Sequence, residues 1–159
     1  MEPTLYQLKL KLQTLGALHP DAWERIVQLS QLHHLKVGKS PIRKPGSVTY
    51  VAEGLLMEYD AKDRDEPTII NFLGRKQSII TRGHNQNHLL TACMPSSIYY
   101  WDFEDLENLY REFNELKIIY DRICWEYDET SSYRLRILEE RNAEARIKLF
   151  LHKYKAFVP

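Results

Sequence analysis

The 159-residue chain balances 22 acidic against 22 basic residues, with 43% hydrophobic and 28% charged residues; this is the profile of one globular domain, or of one domain with a helical appendage, and it excludes an overall electrostatic footprint for nucleic acid. No apolar run approaches the roughly 20 residues of a membrane span, and no charged-then-apolar leader opens the chain. Two cysteines, Cys93 and Cys124, exclude a disulfide framework, a four-cysteine zinc site and a thiolate-held iron–sulfur cluster, so the expected setting is reducing and cytoplasmic.

The first thirty-odd residues read as helical. Leu5, Leu8, Leu12 and Leu15 recur at spacings of three and four and stop at Gly16, which predicts a short amphipathic helix. His19-Pro20-Asp21 opens a second, with Pro20 in its first turn and Trp23, Ile26, Val27, Leu29 and Leu32 facing inward.

From Leu35 to Trp101 the apolar residues come in short runs punctuated by glycine and proline, the pattern of strands joined by tight turns. Strands are expected at 49–52, 55–59, 68–72, 78–80, 89–94 and 98–101. That many short strands argue a closed barrel or jelly roll. Asp60 to Glu66 is a charge run expected at a solvated hairpin tip. Phe103–Phe113 reads as a short helix with Asp102 as its N-cap.

The longest pattern follows. Leu116, Ile119, Tyr120, Ile123, Tyr127, Ser131, Leu135 and Leu138 form one stripe, and neither proline nor glycine occurs between Glu115 and Asn142. A rod of that length spans about 40 Å, more than a small domain needs to cover its own core. The surplus predicts a homodimer through this helix, with Leu116, Ile119, Tyr120, Ile123, Tyr127 and Leu135 at the interface, in preference to a helix buried against its own domain. A further helix is expected to use Ile147, Leu149, Phe150 and Tyr154. Arg141, Arg146, Lys148, Lys153 and Lys155 place a basic excess at this end, read either as complementing the helix dipole or as facing a polyanion.

Several segments in this order carry a resemblance. HPDAWERIVQLSQLHHLKVGK (from His19), TYVAEGLLMEY (Thr49–Tyr59, with Gly54 as the turn glycine), TIINFLG (Thr68–Gly74), LLTACMPSSIYYWDFEDLENLY (from Leu89) and NAEARIKLFLHKYKAFVP (from Asn142) together resemble the sensory half of Crp/Fnr-type transcription regulators. The resemblance implies a mainly β fold with flanking helices, a double-stranded β-helix of the cyclic-nucleotide-binding-domain type. Residues 1–113 would form the jelly-roll domain with its N-terminal helices, 114–142 the dimerisation helix, and 143–159 a helix leading toward a DNA-binding helix-turn-helix domain. No recognition helix lies within these 159 residues, so the chain is expected to be a piece of a longer regulator that reaches DNA only through that other domain, with no membrane partner. A small effector, a cyclic nucleotide or another anion, would sit between barrel and long helix and re-aim the attached domain.

The sequence departs from this pattern at the ligand loop. The family's ribose-binding acid falls near Lys76 and its phosphate-binding arginine near Gln86, and no Asp or Glu occurs between Pro67 and Trp101. The cyclic-nucleotide site is therefore read as degenerate. Arg75, Lys76, Arg82 and Gly83 remain as cations and backbone amides for an anion. Ser131 and Ser132 fall where cyclic-AMP-binding relatives place hydroxyls on the dimer helix, and either touch a ligand or let two helices approach.

No Gly-x-Ser-x-Gly, phosphate-binding Gly-Lys-Ser/Thr or paired catalytic carboxylates occur, so no enzymatic activity, no catalytic residue and no resident cofactor are expected. Two other readings stand beside the regulator: a ligand-free dimerisation or interaction module, whose barrel would be filled by side chains, and a cupin-like metalloprotein using His84 and His88 near Cys93.

Overall fold

The computed structural model describes residues 2–60 and 68–139, the last nine as helix backbone without side chains. The expected tip at 61–66 and the helix and basic excess of 140–159 lie outside these residues, as do the side chains of Ser131, Ser132, Leu135 and Leu138.

Four helices and seven strands follow in the order α1 (Pro3–Leu15), α2 (Pro20–Leu29), β1 (Gln31–Leu35), β2 (Val48–Glu53), β3 (Leu55–Asp60), β4 (Thr68–Gly74), β5 (Ser78–Ile80), β6 (Leu89–Ala92), β7 (Ser96–Trp101), α3 (Phe103–Glu112) and α4 (Leu116–Glu139). The strands form two sheets, ordered β1-β7-β2-β5 and β4-β3-β6, and each observed pairing is antiparallel. This is the expected jelly roll with flanking helices.

β2 shows how the layers sit. Five consecutive residues from Val48 to Ala52 are buried, which a sheet with one solvated face does not allow. Val48 and Tyr50, with Ser78 and Trp101, face an apolar seam closed by Leu8 and Leu12 of α1, Ile26 of α2, Leu106 and Leu109 of α3 and Leu116, Ile119 and Ile123 of α4. The alternate residues Thr49 and Val51, also buried, point the other way, into the barrel. The helices thus cover the outer face of one sheet, and Trp101 ties the layers by donating its indole N–H to the Ile26 carbonyl at 2.9 Å.

Local chemistry sets the helix limits. His19 caps α2, its Nδ1 accepting from the Asp21 amide at 3.0 Å, with Pro20 at the first position. Asp102 occupies the N-cap of α3 without a side-chain hydrogen bond, and its contribution there is charge beside Glu104 and Asp105. α2 ends at Leu29, earlier than the apolar spacing implied. Leu32 belongs to β1 and is exposed, because Gln31–Leu35 adds an edge strand against Ser96–Tyr100 that periodicity alone did not separate from the helix.

The turn between β2 and β3 depends on Gly54, whose φ is +99°. A Cβ there would stand 2.6 Å from Ser96 Cβ and 2.7 Å from Ser96 Cα, and the Ser96 hydroxyl is needed where it is, accepting from the Leu55 amide and donating to the Met94 carbonyl. Gly54→Ala is expected to destabilise the domain by about 2 kcal/mol or more through left-handed strain plus the clash, measured as a fall in the urea midpoint at unchanged m-value.

Candidate functional site

Two strands, a loop and a helix send polar side chains into the barrel. On β3 the inward phase is carried by Leu56 and Glu58, both with no exposed surface; on β4, opposite, it is carried by Asn71 and Leu73. The loop between β1 and β2 contributes Arg43, whose side chain is 7% exposed. Tyr127 enters from α4, one turn beyond Ile123 on the same face.

These groups satisfy one another. The Glu58 carboxylate accepts from Arg43 Nη1 at 2.6 Å, from Asn71 Nδ2 at 2.7 Å and from the Tyr127 hydroxyl, which lies 2.7 Å from both carboxylate oxygens. The guanidinium also donates through Nε to Thr81 Oγ1 at 2.9 Å, through Nη1 to the His88 carbonyl at 3.2 Å and through Nη2 to the Tyr127 oxygen at 3.3 Å. Asn85 completes the set, donating to the Ile80 carbonyl at 2.8 Å and to Tyr127 at 3.2 Å while accepting from the Arg82 amide at 2.7 Å. Burial, and then the carboxylate of Glu58 beside it, push the Tyr127 phenol well above the ordinary tyrosine range, with Arg43 opposing. The phenol therefore stays protonated and donates to the carboxylate.

Between β4, β5 and α4 the structure leaves no room for a water molecule: the gap lined by Leu73, Gln77, Ser78, Ile123, Glu126, Tyr127 and Thr130 has a cavity volume of about 0 Å³. At this gap the chain's own side chains fill the space between barrel and long helix, whereas the apolar seam under α1, α3 and α4 keeps a volume of about 70 Å³.

The residues expected at a ligand site are not brought together. Lys76 and Arg75 stand exposed on the β4–β5 turn, Lys76 with φ +73°. Arg82, on the β5–β6 loop, pairs with Asp128 of α4 at 2.5 Å and lies 6.0 Å from the Tyr127 ring centroid, so its cation is taken by the helix. Gly83 and Gln86 are exposed on the same loop. Ser131 and Ser132 fall on the backbone of α4, their side chains outside the described residues. His84 and Cys93 are exposed, and no group of three His, Cys, Asp or Glu able to hold a metal occurs among the described residues.

Most of the expected dimer stripe lies against the chain's own domain. Leu116, Ile119, Ile123 and Tyr127 are 4, 3, 9 and 5% exposed within a single chain, and Tyr120 is half-buried against Tyr110, with ring centroids 5.2 Å apart. These five face the domain's own barrel and α3, so they are spent before a second copy arrives. Leu135 has no described side chain. Among the described side chains of α4, Ile118 and Trp125 are the large apolar residues left outward, 55 and 66% exposed and seven residues apart.

Sequence reasoning missed Arg43 and Glu58. The signal for Glu58 was a carboxylate in the inward phase of LLMEY, and for Asn71 an amide in the inward phase of TIINFL; Arg43, in a proline-flanked loop, carries no such signal.

The sequence matches no protein-family model and no curated protein. Solved structures are similar. A cyclic nucleotide-binding domain from Methylobacillus flagellatus aligns over 87% of this chain and 86% of its own at TM-score 0.68 and 10% identity. The fold is that of a cyclic-nucleotide-binding domain. A mutant of CooA from Carboxydothermus hydrogenoformans covers 95% of this chain and 97% of that one at TM-score 0.61 and 17% identity, and the c-di-GMP responsive global regulator CLP from Xanthomonas campestris covers 85% and 72% at 0.57 and 17%. At such identities the likeness is one of fold, shared with the sensory domains of Crp/Fnr-type regulators.

In this cyclic-nucleotide-binding fold the inner network should behave as one unit. Removing one partner strands a buried charge, so Arg43→Met and Glu58→Gln are each expected to cost about 3–5 kcal/mol. Tyr127→Phe, which removes one donor, should cost about 1–3 kcal/mol. The double variant of Arg43 and Glu58 should lose clearly less than the sum, the non-additivity being read from a denaturation double-mutant cycle.

Proposed function

We propose that this chain is the regulatory domain of a Crp/Fnr-type transcription regulator, non-catalytic and cytoplasmic, homodimeric through α4, with a degenerate cyclic-nucleotide site and with DNA reached through a helix-turn-helix domain outside these residues. The observation that carries it is the way α4 closes the barrel. The helix takes its whole inward stripe, Leu116 to Tyr127, onto a cyclic-nucleotide-binding fold, and it places Tyr127 on the Glu58–Arg43 pair. A helix held in that way at the mouth of a sensory barrel transmits barrel state to whatever follows it.

Degeneracy is supported from two sides. No acid stands in the ligand loop, and the acid and arginine present in the interior, Glu58 and Arg43, come from other elements and neutralise each other. The same paired interior favours a second reading, a dimerisation module with no effector. Dimerisation is supported by Ile118 and Trp125, exposed one heptad apart on the face of α4 turned away from the barrel. No described helix is long and apolar enough to cross a membrane.

Thermal unfolding with cyclic AMP, cyclic GMP and other nucleotides tests the site. A nucleotide at a hundred times its dissociation constant would add about 2.7 kcal/mol, and the expected outcome is no such shift; a shift of several degrees would restore nucleotide binding and displace the degenerate-site reading. Light scattering at tens of micromolar is expected to show a dimer, and Trp125→Glu should move it toward monomer without lowering the unfolding midpoint, since the side chain lies outside the core. A monomeric parent chain would sink the dimeric domain.

A further inference from the structure

Apart from the interior network, the outer surface holds a polar cleft. It has a volume of about 250 Å³ and is lined by Pro3, Thr4 and Gln7 of α1, Tyr50, Ala52 and Glu53 at the end of β2, and Arg75 and Lys76 of the β4–β5 turn. This is the side of the molecule on which the two exposed cations of that turn come together, apart from Arg82 and its Asp128 partner.

Three kinds of donor converge there. α1 begins at this cleft, and the side chain of its N-cap residue Glu2 does not cap the helix; Pro3 has no N–H, so the amides of Thr4 and Leu5 stand free of a cap at the positive end of a 13-residue helix. Arg75 and Lys76 add two mobile cations. The third donor is Tyr50. Its residue is 1% exposed, yet its ring reaches from the apolar seam into this cleft, and among the described residues its hydroxyl has no hydrogen-bond partner. Its cross-strand neighbour Tyr99 differs, being bonded to Thr4 Oγ1 at 2.9 Å and to Glu2 at 3.4 Å. Burial raises the Tyr50 phenol to about 12, against the opposing Arg75 cation of the same cleft, and so keeps the hydroxyl a donor. A buried phenol with a spare proton, at a helix N-terminus and beside an arginine, is an arrangement that selects an anion.

We propose that this cleft binds a small phosphate or carboxylate anion that also bears a hydroxyl. The anionic group takes the Tyr50 hydroxyl, Arg75, Lys76 and the first amides of α1. Glu53, the one carboxylate in the lining, accepts from the ligand's hydroxyl, and Glu2 at the helix start limits the net charge that the cleft tolerates. The site also touches α4: Lys11 of α1 donates to the Lys76 carbonyl and pairs with Glu126 of α4 at 2.8 Å. Reading the anion as an effector rests on the regulatory function proposed above, whereas its binding does not.

Titration of glycerol 3-phosphate into the whole chain, followed by amide chemical shifts, tests the site. Saturable shifts at Thr4, Leu5, Arg75 and Lys76 with a dissociation constant on the order of 1 mM are expected, with inorganic phosphate binding the same amides several-fold more weakly. Arg75→Gln combined with Lys76→Gln, both exposed and so harmless to folding, should weaken binding about tenfold or more. Tyr50→Phe should weaken it roughly fivefold, and Arg111→Gln on α3 should leave it unchanged. Absence of saturation up to about 50 mM, equal binding by the Arg75/Lys76 variant, or an equal loss in Arg111→Gln would each overturn the proposal. A null titration with the dimer intact removes the cleft and leaves the domain reading; a monomer that still titrates does the reverse.

Discussion

The carboxylate of Glu58 has no contact with solvent, and an ionised group in that position is tolerable only when each of its lone pairs is met. Much of this molecule follows from that requirement. The β1–β2 loop must bring Arg43 inward far enough for its guanidinium to reach 2.6 Å from the acid, β4 must present Asn71 rather than an apolar residue in register with it, and α4 must lie close enough for a tyrosine to span the remaining gap. Each of these groups would itself be a buried polar liability without the others. The pair brings little net stability against a hydrophobic isostere; what it adds is a specific arrangement, since loop, sheet and helix must be placed together for Arg43, Asn71 and Tyr127 all to reach the Glu58 carboxylate.

That constraint divides α4 into two faces. Leu116, Ile119 and Ile123 cover the outer face of the β2–β5–β7 layer, Tyr127 turns into the barrel, and Thr130 bonds back to the Glu126 carbonyl at 3.1 Å. The outward face carries Asp121, Arg122, Asp128 and Glu129 around Ile118 and Trp125. Arg122 donates to the Leu15 carbonyl and Asp128 holds Arg82, so two of the outward polar groups still tie the helix to its own chain. The helix is bound along one side by apolar burial and at both edges by ion pairs or charged hydrogen bonds, and a partner copy would meet only the narrow strip between those edges.

The order of elements was legible because each run of apolar residues had the period of the structure it formed, and because Gly54, Pro20 and the glycine- and proline-rich joints sat where the chain turns. β1 was not, since Leu29 and Leu32 are spaced as on a helix and an edge strand with alternating exposure carries a weak signature. The stripe on α4 was legible as a covered face, but not which surface covers it: over Leu116–Tyr127 the chain's own domain does so. The interior network was illegible for a different reason. Its members lie 13 to 84 residues apart, and no local rule links a loop arginine to a strand glutamate; only the inward phase of Glu58 and Asn71 hinted that the barrel was polar inside. The cations Arg75, Lys76 and Arg82 were recognised as available charge, but their division between two sides of α4 is a property of the folded chain.

A barrel whose interior holds a buried ion pair sets an energetic threshold for any ligand that would enter it. A ligand in the interior would have to displace Tyr127 or Arg43 and match every bond that Glu58 loses, so its differential affinity must exceed the cost of opening a buried ion pair before any population shifts. A ligand on the outside faces no such threshold. It meets exposed cations on the β4–β5 turn, and it acts through Lys11, which is bonded at once to that turn and to Glu126 of α4. Since Glu126 lies one residue from Tyr127, displacement of α1 or of the turn bears directly on the residue that latches the helix to the barrel. The buried network therefore makes the outer edge of α4, rather than the barrel interior, the place where a small change in binding energy has most leverage on the helix.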